Sequence, residues 1–100
     1  MPSGHVEAII DGTVVAASDT YELVEGNVYF PPSSVKSEFL TKTDLSTYCG
    51  WKGDASYYTI KVGDKEFANA AWYYPEPFEK AKHIKDYVAF YKTKVNVTGV

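Results

Sequence analysis

The architecture follows from one stretch of the chain: Ala55-Ser56-Tyr57-Tyr58-Thr59-Ile60-Lys61-Val62, then Gly63-Asp64-Lys65, then Glu66-Phe67-Ala68-Asn69-Ala70-Ala71-Trp72-Tyr73-Tyr74. Both arms are rich in aromatic and β-branched residues, which favour strands, and the glycine and aspartate between them favour a turn. Successive side chains of a strand point to opposite faces, so Tyr57 and Tyr58 are expected on opposite sides of a sheet. The stretch therefore predicts a long β-hairpin.

Further hairpins are predicted upstream. Asp11-Gly12 separates two β-prone runs, 5–10 and 13–18, and this dipeptide suits a two-residue type I′ turn. The runs 21–25 and 27–30 flank Gly26 and predict a second hairpin, with a bulge. Pro31-Pro32 ends that strand because neither residue can donate to a ladder. One helical turn over 33–36 and a strand near 38–43 follow.

The segment after the long hairpin predicts the one helix of the chain. Pro75-Glu76-Pro77 breaks the strand, and Glu79 to Lys85 predicts a short helix whose first residue suits a positive N-terminus. The run 87–91 fits either a continued helix or a strand, and the strand is favoured; 95–97 is expected to pair with it. The predicted fold is mainly β, a compact antiparallel curled sheet or sandwich with one short helix in the C-terminal half.

The composition of the chain excludes several classes of function. The chain has 100 residues, 45% of them hydrophobic, which fits a single domain over 1–100 with its own core. It carries a formal net charge of −3, with ten Lys and no Arg, so a nucleic-acid partner is not expected. No apolar run reaches membrane length and no secretory pattern is visible, which indicates a cytoplasmic protein without a membrane partner. The oligomeric state stays open.

The lone Cys49 cannot form an intramolecular disulfide, as suits a reducing compartment. One Cys and two His offer no paired-ligand spacing, so we expect no metal and no cofactor.

Several blocks of the chain, in order, resemble the domain-of-unknown-function 427 family. The most specific is Cys49-Gly50-Trp51-Lys52-Gly53-Asp54-Ala55-Ser56-Tyr57-Tyr58; the others are Gly12 to Ala16, Tyr29-Phe30-Pro31, Asn69 to Trp72 with Tyr74 to Pro77, and Ile84 with Tyr87 to Tyr91. Where the family commonly has His-Cys-Pro-Trp, this chain has Tyr48-Cys49-Gly50-Trp51.

The resemblance implies a compact, mostly antiparallel domain related to the β-tent folds, and no agreed activity. Some relatives are labelled nucleotidyltransferases. That chemistry needs paired carboxylates for magnesium and a phosphate-binding loop, and neither pattern occurs in this chain.

The first function hypothesis is a small-ligand-binding domain whose partner is a small molecule. Its pocket is expected between the loop Cys49 to Asp54 and the strand end Asn69 to Glu76. Aromatic side chains with a few polar groups are how a pocket orients a small ligand, although core packing also explains such clusters. The expected ligand-binding residues are Trp51, Lys52, Asp54, Tyr57, Asn69, Trp72, Tyr74 and Glu76.

Two other hypotheses come from different classes. The first is an enzyme acting on a small anionic metabolite through Cys49 or Asp54 with Lys52; Lys52 could lower the pKa of the thiol, while a buried structural cysteine is the alternative role. The second is an interaction module that presents an aromatic surface to a protein.

Overall fold

The computed structural model describes residues 3–99, and strands dominate them. The nine strands are β1 (Ser3–Ile10), β2 (Thr13–Thr20), β3 (Glu22–Val24), β4 (Asn27–Tyr29), β5 (Leu40–Cys49), β6 (Gly53–Val62), β7 (Lys65–Tyr73), β8 (Val88–Phe90) and β9 (Asn96–Thr98). Short 3-10 helices cover Pro32–Ser34, Ser37–Phe39 and Glu79–Ile84. The predicted mainly β antiparallel fold is confirmed, and its C-terminal-half helix is of the 3-10 type.

The strands form open antiparallel sheets. The largest has the order β5-β6-β7-β8, a second has β2-β1-β9, and β3 pairs with β4 in a small hairpin. Reciprocal backbone hydrogen bonds between Phe30 and Val88, at 2.8 and 2.9 Å, attach that hairpin to the free side of β8. Among residues 3–99, no helix has the length and apolar character needed to cross a bilayer.

Two-residue turns set the first two hairpins. Asp11 and Gly12 have φ of 49° and 77°, which confirms the type I′ prediction. Glu25 and Gly26 have φ of 53° and 80°, and β3 pairs with β4 without any register shift. The predicted bulge in this second hairpin is therefore wrong, because Glu25 itself adopts the positive φ and no extra residue is needed.

The long hairpin forms as predicted, with an irregularity at Asn69. Tyr58 pairs with Ala71 and Ile60 pairs with Phe67, so three residues of β7 lie opposite Thr59 alone. The middle one, Asn69, has a φ of 50°. Asparagine tolerates this left-handed conformation better than most residues, which accounts for an amide inside a strand.

Two apolar cores lie on opposite faces of the large sheet. The first joins that sheet to β1 and β2 and includes Val6, Val15, Phe30, Ile60 and Phe90. The second contains Val24, Tyr29, Ala55, Tyr57, Tyr74, Ala81, Ile84 and Ala89. β6 contributes to both cores because its alternate residues face opposite sides, as the sequence predicts.

The partner of β9 differs from the prediction. β9 pairs with β1, where Glu7 faces Thr98 and Ile9 faces Asn96, and not with the strand at 88–90. The reason is that β8 has no free edge near its start, since β7 pairs with one side and Phe30 with the other.

β5 is longer than predicted. The strand expected near 38–43 begins at Leu40 and continues to Cys49, so the predicted loop shrinks to a turn at Gly50–Lys52. Most side chains of β5 are exposed, because this edge strand reaches the two apolar cores only through Leu40 and Cys49. An edge strand of this kind lacks the apolar alternation by which strands are recognised in sequence.

Candidate functional site

A cavity of about 390 Å³ opens beside the second core. It is lined by Asn27, Lys52, Tyr57, Trp72, Tyr74, Tyr91, Lys92 and Thr93. Half of these residues are aromatic, and the ammonium groups of Lys52 and Lys92 supply the charge of the cavity.

Strand register and ring stacking position the aromatic walls. Tyr57 and Trp72 are paired across β6 and β7. Tyr91, just beyond β8, is fixed by a 2.9 Å hydrogen bond from its amide to the carbonyl of Ala70. Its ring lies nearly parallel to Tyr57 at 6.4 Å and tilted against Trp72 at 4.6 Å. The Trp72 indole N–H donates to the Tyr29 hydroxyl at 3.1 Å, which fixes the indole.

Lys52 is the one buried polar or charged residue among those described, at 6% exposure. Its Nζ donates a hydrogen bond to the Glu25 carboxylate and lies 5.4 Å from the ring centroids of both Trp51 and Tyr74. Trp51 Nε1 donates to the other carboxylate oxygen of Glu25 at 3.3 Å. A buried ammonium is costly unless it is paired, and Glu25 provides that counter-charge.

The Lys52–Glu25 pair is ionised at neutral pH. Burial lowers the pKa of Lys52, but the hydrogen bond to Glu25 and the charges of neighbouring groups outweigh it, so the net pKa is raised above its usual value. The hydrogen bond from Lys52, supported by the one from Trp51, lowers the pKa of Glu25. The cavity wall therefore holds a buried cation, and its counter-charge is the more exposed carboxylate of Glu25.

Tyr29, Tyr74 and Tyr91 are neutral at physiological pH. Burial raises the pKa of both Tyr29 and Tyr74. Hydrogen bonding with Tyr57, followed by burial, raises the pKa of Tyr91 to about 12. Their hydroxyls can donate to or accept from a ligand without adding charge to the cavity.

The structure brings five of the predicted site residues together. Lys52, Tyr57, Trp72 and Tyr74 line the cavity, and Trp51 packs behind Lys52 at the side of Glu25.

The three remaining predicted ligand-binding residues, like Trp51, lie outside the cavity lining. Asp54 is exposed and pairs with Tyr48, and Glu76 is exposed beyond the end of β7. Asn69 lies in the β7 bulge, where it bonds to Thr43 and Thr59.

Cys49 is a free thiol, half-buried against the second core. No hydrogen bond joins Cys49 or Asp54 to Lys52 in the described part of the chain. Within residues 3–99, no three His, Cys, Asp or Glu side chains are grouped to hold a metal ion.

Five residues of the site were not predicted from the sequence: Glu25, Asn27, Tyr91, Lys92 and Thr93. Tyr91 belongs to a run assigned to a strand, and it follows Ala89 of the second core by two residues, so strand alternation places its ring on the cavity side. Lys92 Nζ donates to the Gly26 carbonyl at 2.7 Å, a contact between residues far apart in sequence. Of these five residues, Glu25 could have been noticed in the sequence. Glu25-Gly26 occupies a type I′ turn in which Asn-Gly or Asp-Gly is usual, so the glutamate indicates a role for its side chain.

The fold and site define a class of small open antiparallel β-domain with an aromatic cavity over a buried lysine. The chain belongs to the family described as Domain of unknown function (DUF427), whose family model matches residues 2–100. This match confirms the family resemblance of the sequence. No curated protein matches the chain.

Proposed function

We propose that this domain binds a small organic molecule in the aromatic cavity. The observation that carries the proposal is the buried, ionised Lys52 in the wall of that cavity. Ligand pockets commonly have volumes of about 300–1,000 Å³ and combine apolar walls with a few polar groups. The cavity of about 390 Å³ fits a ligand at the small end of that range.

The cost of burying Lys52 supports the proposal. Removing an ammonium from water costs several kcal/mol, and replacing a buried ion pair by apolar residues of similar size is often neutral or stabilising. A methionine could fill much of the same space beside Trp51 and Tyr74. A charge kept at such a position, next to a concave surface, is typical of a functional site.

The partly exposed rings of Trp72 and Tyr91 add to this support. Tyr57, Trp72, Tyr74 and Tyr91 all border the cavity. Tyr91 remains 38% exposed although it packs against two other rings. Such rings offer a stacking face to a flat ligand at little cost in side-chain entropy.

A fragment screen followed by two-dimensional ¹H–¹⁵N NMR tests the proposal. We expect small aromatic fragments at millimolar concentration to shift the Trp72 indole N–H and the amides of Tyr57 and Tyr91. Lys52→Met should weaken the binding of these fragments or change which of them bind. Lys80→Met, at an exposed position away from the cavity, is the matched control and should bind as the wild type does.

The thermal stability of Lys52→Met would be measured first, because a variant that does not fold says nothing about binding. If Lys52→Met does not fold, the NMR spectra of the wild-type protein with the fragments test the proposal. Fragments that bind without shifting the cavity signals, or no binding by any fragment, would contradict the proposal.

A further inference from the structure

We infer that the ligand is a flat aromatic carboxylate whose anionic group displaces the Glu25 carboxylate from Lys52. The inference rests on the proposed function and specifies the ligand for the same cavity. It is carried by the unequal exposure of the two ion-pair partners and by the backbone conformation of Glu25.

The two partners of the ion pair differ in access to water. The Lys52 side chain is 7% exposed, whereas that of Glu25 is 51% exposed. Glu25 can therefore leave the pair and be solvated at modest cost, while Lys52 cannot leave its buried position. An ammonium left alone in that position would be costly, so only another anion can take the place of Glu25.

The backbone conformation of Glu25 is unfavourable for glutamate, which indicates that this position requires a carboxylate. The residue occupies the first central position of a type I′ turn with a φ of 53°, where Asn, Asp and Gly are preferred. Glycine would form this turn with less strain. What glutamate adds is the pair of contacts from its carboxylate to Lys52 and Trp51.

The hairpin that carries Glu25 has other attachments. Lys92 Nζ holds the Gly26 carbonyl, and the Phe30–Val88 backbone hydrogen bonds fix the far end. Release of Glu25 therefore frees a side chain without detaching the hairpin.

The charge at the cavity suits a monoanion. Lys52 and Lys92 line it and Glu25 pairs with Lys52, which leaves one positive charge in excess. A cationic ligand would meet two ammonium groups, and a neutral one would leave the existing pair in place. An aromatic carboxylate instead matches both the stacking faces and the excess charge.

A matched pair of probes tests the inference on the wild-type protein: naphthalene-2-carboxylate and naphthalene-2-carboxamide, by isothermal titration calorimetry at neutral pH. The two differ in charge and little in shape. The carboxylate takes over the charge-assisted bond from Lys52, is attracted by Lys92 and lets Glu25 return to water, whereas the carboxamide leaves the ion pair in place. We therefore expect the carboxylate to bind about 10- to 100-fold more tightly. Equal affinities would overturn the inference and leave the proposed function standing. Failure of both probes to bind would overturn it too, while the fragment screen decides the proposed function separately.

The Trp51 indole N–H reports the displacement itself, because its acceptor is Glu25. We expect the carboxylate to shift this NMR signal and the carboxamide to leave it nearly unchanged. Trp51→Phe assigns the signal, since the chain has two Trp. Tight binding of the carboxylate with an unmoved Trp51 signal would overturn the displacement of Glu25.

A variant provides an independent measurement. Glu25→Gln removes the competing anion and should raise the affinity for the carboxylate above that of the wild type. Glu22→Gln removes the same charge from the same hairpin, at a residue without a side-chain partner in the described part of the chain, and should not raise it. An unchanged or weaker affinity in a folded Glu25→Gln would overturn the inference. If that variant does not fold, the wild-type titrations decide.

Discussion

Thr43 donates a hydrogen bond to Asn69 although their strands are not neighbours. The distance from Thr43 Oγ1 to Asn69 Oδ1 is 2.7 Å, and the bond spans β6 to link β5 with β7. Each residue lies where the pairing of its own strand with β6 is irregular, and the backbone N–H of Asn69 also donates to Thr59 Oγ1 at 3.3 Å. The two irregularities are therefore joined to each other through side chains.

This arrangement predicts a structural role for the Asn69 side chain. Asn69→Ala removes the acceptor for Thr43 and places a residue with a less favourable left-handed conformation at a φ of 50°. The expected loss is about 2–3 kcal/mol in the free energy of unfolding, from a left-handed penalty and a lost hydrogen bond. Urea denaturation measures it.

Asn69→Gly separates the two causes, since glycine accepts the backbone conformation but lacks the amide. We expect it to lose less stability than Asn69→Ala. If the alanine variant kept wild-type stability and lost only ligand binding, Asn69 would belong to the site after all.

The first residue of β6 allows a second prediction. Gly53 has a φ of 108°, and a Cβ there would lie 3.3 Å from the Glu76 carbonyl oxygen. Gly53→Ala should therefore lower the free energy of unfolding by about 1–3 kcal/mol, the usual cost of such strain. Gly50→Ala, in the preceding turn and with open space around it, is the matched control and should change stability much less. Similar losses in both variants would contradict the strain argument.

The ion pair of the cavity predicts an acid-sensitive part of the stability. The folded state lowers the pKa of Glu25, so the stabilisation is complete above its usual value of 4.5 and is lost as pH falls through the folded-state pKa. Urea midpoints between pH 3 and 6 should fall less steeply in Glu25→Gln than in the wild type. Glu22→Gln should follow the wild-type curve; identical curves for all three proteins would refute the prediction.

His5 predicts a separate effect near neutrality. Its ring bonds Asp19 at 2.9 Å and Glu7 at 3.0 Å, and these hydrogen bonds raise its pKa above 6.5. The stabilisation is present below pH 6.5 and is lost as pH rises through the folded-state value. His5→Gln should therefore reduce the difference in stability between pH 5.5 and 8.5, whereas His83→Gln should preserve it. High salt should weaken the effect, because these groups are exposed.

The parts of the fold that depend on residues close together in the chain could be predicted from the sequence. Asp11-Gly12 fixes one hairpin, and the aromatic run around Gly63 fixes another. What the sequence did not reveal depends on contacts between distant segments. The pairing of β9 with β1 follows from the occupied edges of β8, and the full length of β5 follows from its exposure at a sheet edge.

The candidate site divides in a similar way. Lys52, Tyr57, Trp72 and Tyr74 stand close together in the sequence blocks around one hairpin, so they could be predicted. Glu25 approaches Lys52 only after two hairpins have packed together, and its role as counter-ion has no local signature. The side-chain amide of Asn69 among aromatic residues suggested that Asn69 binds a ligand. The left-handed backbone conformation in the bulge explains the presence of asparagine at this position without a ligand.

The burial of β6 on both faces has a consequence for refolding. In a sheet with one solvent face, a slip of one residue would expose the apolar set, so hydrophobicity alone selects the register. Over Ala55 to Tyr58 both faces enter apolar cores, so a slipped hairpin would exchange the two sets and remain compact. Correct alignment then depends on the turn at Gly63 and the bulge at Asn69, and a chain that collapses before these form would be held in a kinetic trap.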